Sequence, residues 1–179
     1  MNRKLRWITE TGLMLALLIT LQALTKPAGQ LLTGSCVNAL LAAAVLLGGL
    51  GCGLTVALCS PVLAFLLGIA PQILTVPAIM VGNSLFVLVL HLLRGKTGLG
   101  QVVSLVVAAA VKFASLYGLV GWVLCGLLAP SLLSSGVMKP PMLKMLPAMF
   151  SWPQLVTALI GGGLAMVLVP IVKKALKRD

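Results

Sequence analysis

Apolar residues run through this chain in long stretches that polar residues interrupt only briefly. The stretches cover residues 8–25, 37–51, 53–70, 77–93, 101–128 and 151–172. A helix needs about 20 apolar residues to cross a bilayer, so the chain has room for about six crossings with short loops. Backbone groups in lipid must bond within their own segment, which favours helices. The pattern therefore predicts one all-α transmembrane domain over residues 1–179, a bundle of about six transmembrane helices.

The division between the second and third stretches depends on a glycine cluster. Its members are Gly48, Gly49, Gly51 and Gly53. Glycine fits both a helix interior and a tight turn, so the cluster predicts either a continuous helix or a reversal of the chain. The fifth stretch is longer than a bilayer requires, which predicts a tilted or protruding helix.

Composition agrees with the pattern. Hydrophobic residues make up 60% of the 179 residues, charged residues make up 8%, and the mean hydropathy is +1.18. Soluble domains contain about 25% charged residues. A water-soluble fold of this chain is therefore excluded.

The basic residues predict the orientation, because short cytoplasmic loops retain Lys and Arg. One side of the predicted bundle has Arg3, Lys4, Arg6, Arg94, Lys96, Lys173, Lys174, Lys177 and Arg178, and the other has only Lys26, Lys139 and Lys144. This asymmetry predicts a multi-pass protein of the cell membrane with both termini in the cytoplasm. The net charge of +11 then reflects topology and attraction to anionic lipid, and nucleic acid is not an expected partner.

Few residues are suited to catalysis. Glu10 and Asp179 are the only carboxylates, so paired-carboxylate chemistry and carboxylate-bound metals lack their residues. No G-x-x-x-x-G-K-[ST] loop is present. We therefore expect no enzyme activity and no cofactor.

Cysteine and methionine are the remaining possible metal ligands. Cys36, Cys52, Cys59 and Cys125 have no ligand spacing, and buried cysteine behaves as a small hydrophobe, so no metal site is predicted. A second group, Met138, Met142, Met145 and Met149, precedes the last stretch. These methionines could bind copper(I), or they could form an interfacial lid that rests on the membrane or on a ligand. The lid is preferred, because Pro140, Pro141 and Pro147 should break regular helix there.

Polar residues concentrate in the outer halves of the predicted helices. They include Asn38, Asn83, Tyr117 and Gln154, and they are joined by Trp152 and the loop residue Gln72. Buried polar groups cost free energy unless they are satisfied, so the cluster predicts a polar substrate cavity open to the outside. Hydrogen bonds between helices are the alternative for any single residue.

Lys112 lies about 17 Å from the cytoplasmic end of the fifth stretch at 1.5 Å per residue. Charges at this depth normally find a partner, yet no carboxylate lies at comparable depth. An anionic ligand, a structural set of carbonyls or water, and a neutral lysine are the three possibilities. The first of these makes Lys112 the leading candidate for substrate binding.

Gly12, Ala16 and Thr20 recur every four residues, so they share one face of the first helix. Small faces allow helices to approach closely in lipid. Such a face predicts a docking surface for another transmembrane helix.

These features together resemble the substrate-binding S components of energy-coupling factor (ECF) vitamin transporters. The resemblance also includes the segments Lys26-Pro27-Ala28-Gly29-Gln30, Thr33-Gly34-Ser35-Cys36-Val37-Asn38 and Ser60-Pro61. It implies capture of a vitamin-like solute from outside, and delivery within a complex of a transmembrane coupling subunit and two cytosolic ATPases. The family's docking face is usually A-x-x-x-A, which maps here onto Gly12 and Ala16, with glycine replacing the first alanine.

Two other functions remain open. A membrane scaffold or assembly protein would need helix faces but no ligand cavity. A stand-alone secondary carrier would need no ATPase, but its proton relay would be expected to use intramembrane acids or histidine.

Overall fold

The computed structural model describes residues 2–69, 72–95 and 97–176, and no strand occurs among them. Helices α1 to α7 cover Arg3–Thr25, Gln30–Leu66, Val76–Leu92, Gly98–Tyr117, Ala129–Ser134, Met142–Met149 and Trp152–Ala175. Short 3-10 turns cover Lys26–Ala28 and Ile73–Thr75, and a π-helical segment covers Gly118–Leu127. The all-α prediction is confirmed for this part of the chain.

Five helical segments of the described chain are long and apolar enough to cross a membrane. They are Lys4–Ala28, Gln30–Leu66, Ile73–Leu92, Gly98–Leu127 and Met142–Ala175. The predicted stretches 8–25, 77–93 and 151–172 match α1, α3 and α7 closely. The long stretch 101–128 matches α4 together with the π-helical segment.

Helix α2 includes both helices predicted at 37–51 and 53–70, and its outer bounds differ from theirs. It runs for 37 residues, which corresponds to about 55 Å of straight helix. Gly49 interrupts it with φ 79° and ψ −178°, a backbone conformation that favours glycine. The first half begins at Gln30, seven residues before the predicted start, because residues 30–36 are also helical. The second half ends at Leu66. Residue 70 lies outside the described residues.

The two halves of α2 fold back on each other beyond Gly49. A Cβ atom placed on Gly53 would lie 2.8 Å from Cβ of Val45, although eight residues of straight helix span about 12 Å. The ends of α2 also approach the same region, because Gly29 and Ile69 line one cavity. The glycine cluster therefore reverses the chain.

The connection before α7 contains the helix Met142–Met149, although its prolines had been expected to break regular helix there. Pro141 directly precedes α6, where a missing N–H is tolerated, and Pro147 lies inside α6. Met138, Met142 and Leu146 are buried there against Leu116 and Val120. This small apolar core joins the connection to α4 and the π-helical segment.

The main core lies where α2 packs against α1, α3 and α7, and where α4 packs against α3 and α7. Its fully buried side chains include Leu41, Val45, Val56, Phe86, Ala108 and Ala158. Small residues dominate several of these helix contacts, as is common in membrane bundles. The α7 backbone comes close to the α2 backbone at Gly161.

A substitution at Gly161 tests the close contact between α7 and α2. A Cβ atom there would lie 2.7 Å from the Ala39 backbone nitrogen and 2.8 Å from Asn38 Cβ, and it would also meet the Ser35 carbonyl. We expect Gly161→Ala to destabilise the protein by about 1 to 3 kcal/mol, because backbone has to move. Thermal unfolding in detergent measures the change.

Gly163 provides the matched control in the same helix. A Cβ atom at Gly163 has no described neighbour within 4 Å. Because alanine favours helix over glycine, Gly163→Ala should be neutral or slightly stabilising. Equal melting temperatures for the two variants would contradict the close contact between α2 and α7.

Candidate functional site

Lys112 lies at the centre of a buried hydrogen-bond network. Its side chain is 2% exposed, and Nζ donates to Asn38 Oδ1 at 2.6 Å and to Asn83 Oδ1 at 2.7 Å. Nζ also lies 5.4 Å from the ring centroid of Phe86, within the range of a cation–π interaction. An ammonium group only donates hydrogen bonds, so both amides must present oxygen to it. The lysine therefore joins α2, α3 and α4.

A second pair of hydrogen bonds extends the network to α7. Asn38 Nδ2 donates to Thr157 Oγ1 at 3.3 Å, and the Thr157 hydroxyl donates to the Gln154 carbonyl at 3.2 Å. Asn38, Asn83 and Thr157 are each 1% exposed. The position of Asn38 is thus held from two sides, with its oxygen directed to Lys112 and its nitrogen directed to α7.

The hydrogen-bond partners of Lys112 supply acceptors but no negative charge. Its two polar partners are neutral amides, and no carboxylate lines the cavity beside it among the described residues. One ion pair among the described residues, Arg6 Nε to Glu10 Oε1 at 2.7 Å, lies in the first turns of α1. A buried charge is costly unless it is paired. The site is therefore electrostatically suited to an anion.

This lysine network borders a cavity of about 310 Å³. The cavity has polar lining residues, Gln22, Lys26, Gln30, Thr33, Asn38, Asn83, Lys112 and Gln154, and larger apolar ones, Val37, Ile69, Ile79, Leu116, Met149 and Phe150. Two lysines and several amides can bind an anionic group, and the apolar residues can contact a hydrophobic body. Mixed linings of this kind are typical of small-molecule sites.

Three hydrogen bonds hold segments around the mouth of the cavity. The Met149 carbonyl accepts from Gln30 Nε2 at 2.5 Å and from Gln154 Nε2 at 3.2 Å. Lys26 Nζ donates to the Gly68 carbonyl at 2.9 Å. The first pair joins the end of α6 to α2 and α7, and the third bond joins the end of α1 to the turn after α2. The lining is therefore built from segments distant in sequence.

Of the seven residues predicted to bind substrate, Lys112, Asn38, Asn83 and Gln154 line this cavity, and Gln72, Tyr117 and Trp152 do not. Tyr117 is 40% exposed and stacks on Phe113, with 5.9 Å between ring centroids. It lies five residues after Lys112, about 140° around the helix. Leu116 lies on the face of Lys112 and lines the cavity instead.

Trp152 and Gln72 have separate surroundings. Trp152 is 61% exposed in the first turn of α7, two residues before Gln154 and so on the other side of the helix. Gln72 precedes a 3-10 turn, and its backbone carbonyl accepts from Thr75 Oγ1 at 2.9 Å. The depth of a polar residue in the membrane predicted these two positions, but depth does not specify a helix face.

The structure adds several lining residues that the prediction did not include as binding residues. Lys26 and Gln22 lie four residues apart, so they share one face at the end of α1. Met149 and Phe150 contribute at the end of α6. The spacing of Gln22 and Lys26 was the available signal, whereas the apolar lining residues have no distinguishing sequence pattern.

The predicted docking residues lie elsewhere. Gly12, Ala16 and Thr20 are all exposed along one face of α1. A Cβ atom on Gly12 would meet no described atom within 4 Å. The face is therefore uncovered by the described chain.

The four methionines do not share one environment. Met138 and Met142 are buried in the small core, Met149 lines the cavity, and Met145 is 45% exposed. All four cysteines carry free thiols in the structure. No group of three or more His, Cys, Asp or Glu side chains in the described ranges is placed to hold a metal ion.

Comparison of the chain with protein-family models, with curated proteins and with solved structures gives no match.

Proposed function

We propose that this chain is the membrane-embedded substrate-binding subunit of an ECF-type importer, an S component that captures a small anionic, vitamin-like solute. The observation that carries the proposal is the buried Lys112 side chain, which lines a cavity of about 310 Å³ and whose hydrogen-bond partners among the described residues are neutral amides. A carboxylate or phosphate on the solute would supply the missing negative charge. Lys26 on the rim of the same cavity favours the same sign.

The proposed topology has six crossings, with both termini in the cytoplasm of a plasma-membrane protein. The fold-back at Gly49 supports it by dividing α2 into two antiparallel halves. The cavity lies at one end of the bundle, and Arg94 and Lys173 lie at the other. Under the positive-inside rule, the cavity end is extracellular. Lys96, Lys177, Arg178 and Asp179 lie outside the described residues.

The proposal assigns energy supply to partner subunits. The sequence contains no phosphate-binding loop for a nucleotide. The exposed small face of α1 is the proposed contact with a transmembrane coupling subunit, which in turn would hold two cytosolic ATPases. Small residues on this face would let a helix of the coupling subunit approach the α1 backbone closely.

We expect the purified chain in liposomes to bind its solute without accumulating it. Uptake into cells should stop when the ATPase subunits are removed, because the chain has no ATPase motif of its own. Binding and uptake of radiolabelled candidate vitamins are the measurements. Concentrative uptake by the chain alone under an ion gradient would identify a secondary carrier, and absence of any ligand-dependent stabilisation would favour a scaffold.

A further inference from the structure

A second cavity, of about 130 Å³, lies at the basic end of the bundle, opposite the lysine network. The residues that line it are Leu46, Leu90, Arg94, Gly95, Gln101, Ser104, Met166, Val169, Pro170 and Lys173. Arg94 follows α3 and Lys173 lies near the end of α7, so the two cations come from separate elements. No carboxylate is among these described lining residues. The cavity is therefore basic at its polar side and apolar on its other walls.

Ser104 is the observation that points to a ligand. Its side chain is 2% exposed and lines this cavity, and its Oγ has no hydrogen-bond partner in the described chain. Buried polar side chains almost always have a partner. A serine in a helix normally satisfies its hydroxyl on the preceding turn, but this one does not. Its O–H is therefore an unsatisfied donor in the wall of the cavity.

Helix α4 adds to the preference for an anion. It begins at Gly98, and Gln101 and Ser104 lie in its first two turns. The amino terminus of a helix favours negative charge through its dipole. Binding of an anion in this cavity is therefore favoured by Arg94, by Lys173, by the Ser104 hydroxyl and by the start of α4.

We propose that this cavity binds a phosphate group. Arginine matches phosphate oxygens with a planar pair of donors, and the Ser104 hydroxyl supplies a third donor from within. Basic pockets between transmembrane helices on the cytoplasmic side are typical sites for anionic lipid headgroups. Anionic phospholipid and soluble phosphate compounds both carry the group, and the test separates these sources. The site is independent of the transport function proposed above.

The test uses the full chain in a neutral detergent and native mass spectrometry to count bound molecules. Phosphatidylglycerol, phosphatidylcholine and inorganic pyrophosphate are titrated separately. Saturable binding of one phosphatidylglycerol, about tenfold tighter than phosphatidylcholine, would support the site with lipid as the source. Saturable binding of one pyrophosphate without lipid preference would support it with a soluble source.

Variants connect the binding to the cavity. Arg94→Gln should weaken binding about tenfold, and Ser104→Ala about fivefold, because each removes hydrogen bonds to a charged group. Arg94 is exposed, so its replacement leaves the fold intact. Lys173→Gln should also weaken binding, whereas Lys174→Gln should not, because Lys174 is exposed and does not line the cavity. Unchanged binding in Arg94→Gln and Ser104→Ala, or equal losses in the two lysine variants, would overturn the proposal.

Discussion

Replacing Lys112 with methionine is expected to lower affinity for the transported solute by roughly tenfold to a hundredfold, because hydrogen bonds to charged groups contribute about 1.5 to 3 kcal/mol. Methionine retains much of the side-chain length but removes the ammonium that now bonds Asn38 and Asn83. Lys112→Arg should recover only part of the affinity, since a planar guanidinium does not fit the place of a compact ammonium. Isothermal titration of the detergent-purified protein measures the affinities.

Asn83→Asp separates a ligand-binding lysine from a purely structural one. The aspartate would occupy nearly the same space and place a carboxylate oxygen where Oδ1 lies 2.7 Å from Lys112 Nζ. An internal counter-charge should raise the melting temperature of the ligand-free protein and weaken binding of an anion, because the lysine is then already paired. A purely structural Lys112 would give the stabilisation without the loss of affinity.

Asn83→Leu is the companion variant. It removes one acceptor without adding charge, so Lys112 keeps Asn38 as a polar partner. We expect lower stability without ligand, by about 1 to 3 kcal/mol, because a buried donor loses its partner. If Asn83→Leu and Asn83→Asp weakened binding of an anion equally, geometry and not charge would explain the effect.

Ala16→Trp is expected to abolish assembly with a coupling subunit while ligand binding remains nearly intact. Ala16 is exposed on α1 beside Gly12 and Thr20, and a large ring there would prevent close approach of another helix. Gly12→Leu should act in the same direction. Co-purification of ATPase subunits with the tagged chain from its own cells measures assembly, and thermal stabilisation by ligand measures binding.

Leu21→Trp provides the matched control on the same helix. Leu21 is 37% exposed and lies one residue after Thr20, about 100° around the helix. A large residue already occupies that position, so assembly should persist. Normal co-purification with Ala16→Trp would remove the docking assignment, and loss with both variants would indicate a general defect of α1.

Membrane-spanning helices and a deeply placed lysine with polar partners were predictable from the chain alone. Hydropathy fixes which segments are helical, because lipid leaves the backbone few alternatives. A lysine far from either end of an apolar stretch is costly, so its need for polar partners follows from its depth. The identity of its partners does not. Asn38 and Asn83 are 74 and 29 residues away, and only helix packing brings their oxygens to Nζ.

The direction of a side chain around its helix is the detail that the sequence did not supply. Tyr117 and Trp152 were placed in the site by depth, but their positions on α4 and α7 turn them away from the cavity. Leu116, at helical spacing from Lys112, takes the lining position that Tyr117 was expected to have. The glycine cluster had two possible conformations in sequence. The left-handed backbone at Gly49 and the close approach of Gly53 to Val45 distinguish a reversal from a continuous helix.

Mass spectrometry of small molecules retained by the gently purified chain is the most direct measurement of whether the Lys112 cavity binds an anionic solute. The wild-type protein should retain a small compound bearing a carboxylate or phosphate, at about one molecule per chain, and Lys112→Met should retain far less under the same conditions. Lys112→Met has to be shown to be folded without ligand, by a cooperative melting transition, before the two retained amounts are compared. Retention of no anionic compound by the wild-type chain, or equal retention by folded Lys112→Met, would contradict the proposed site.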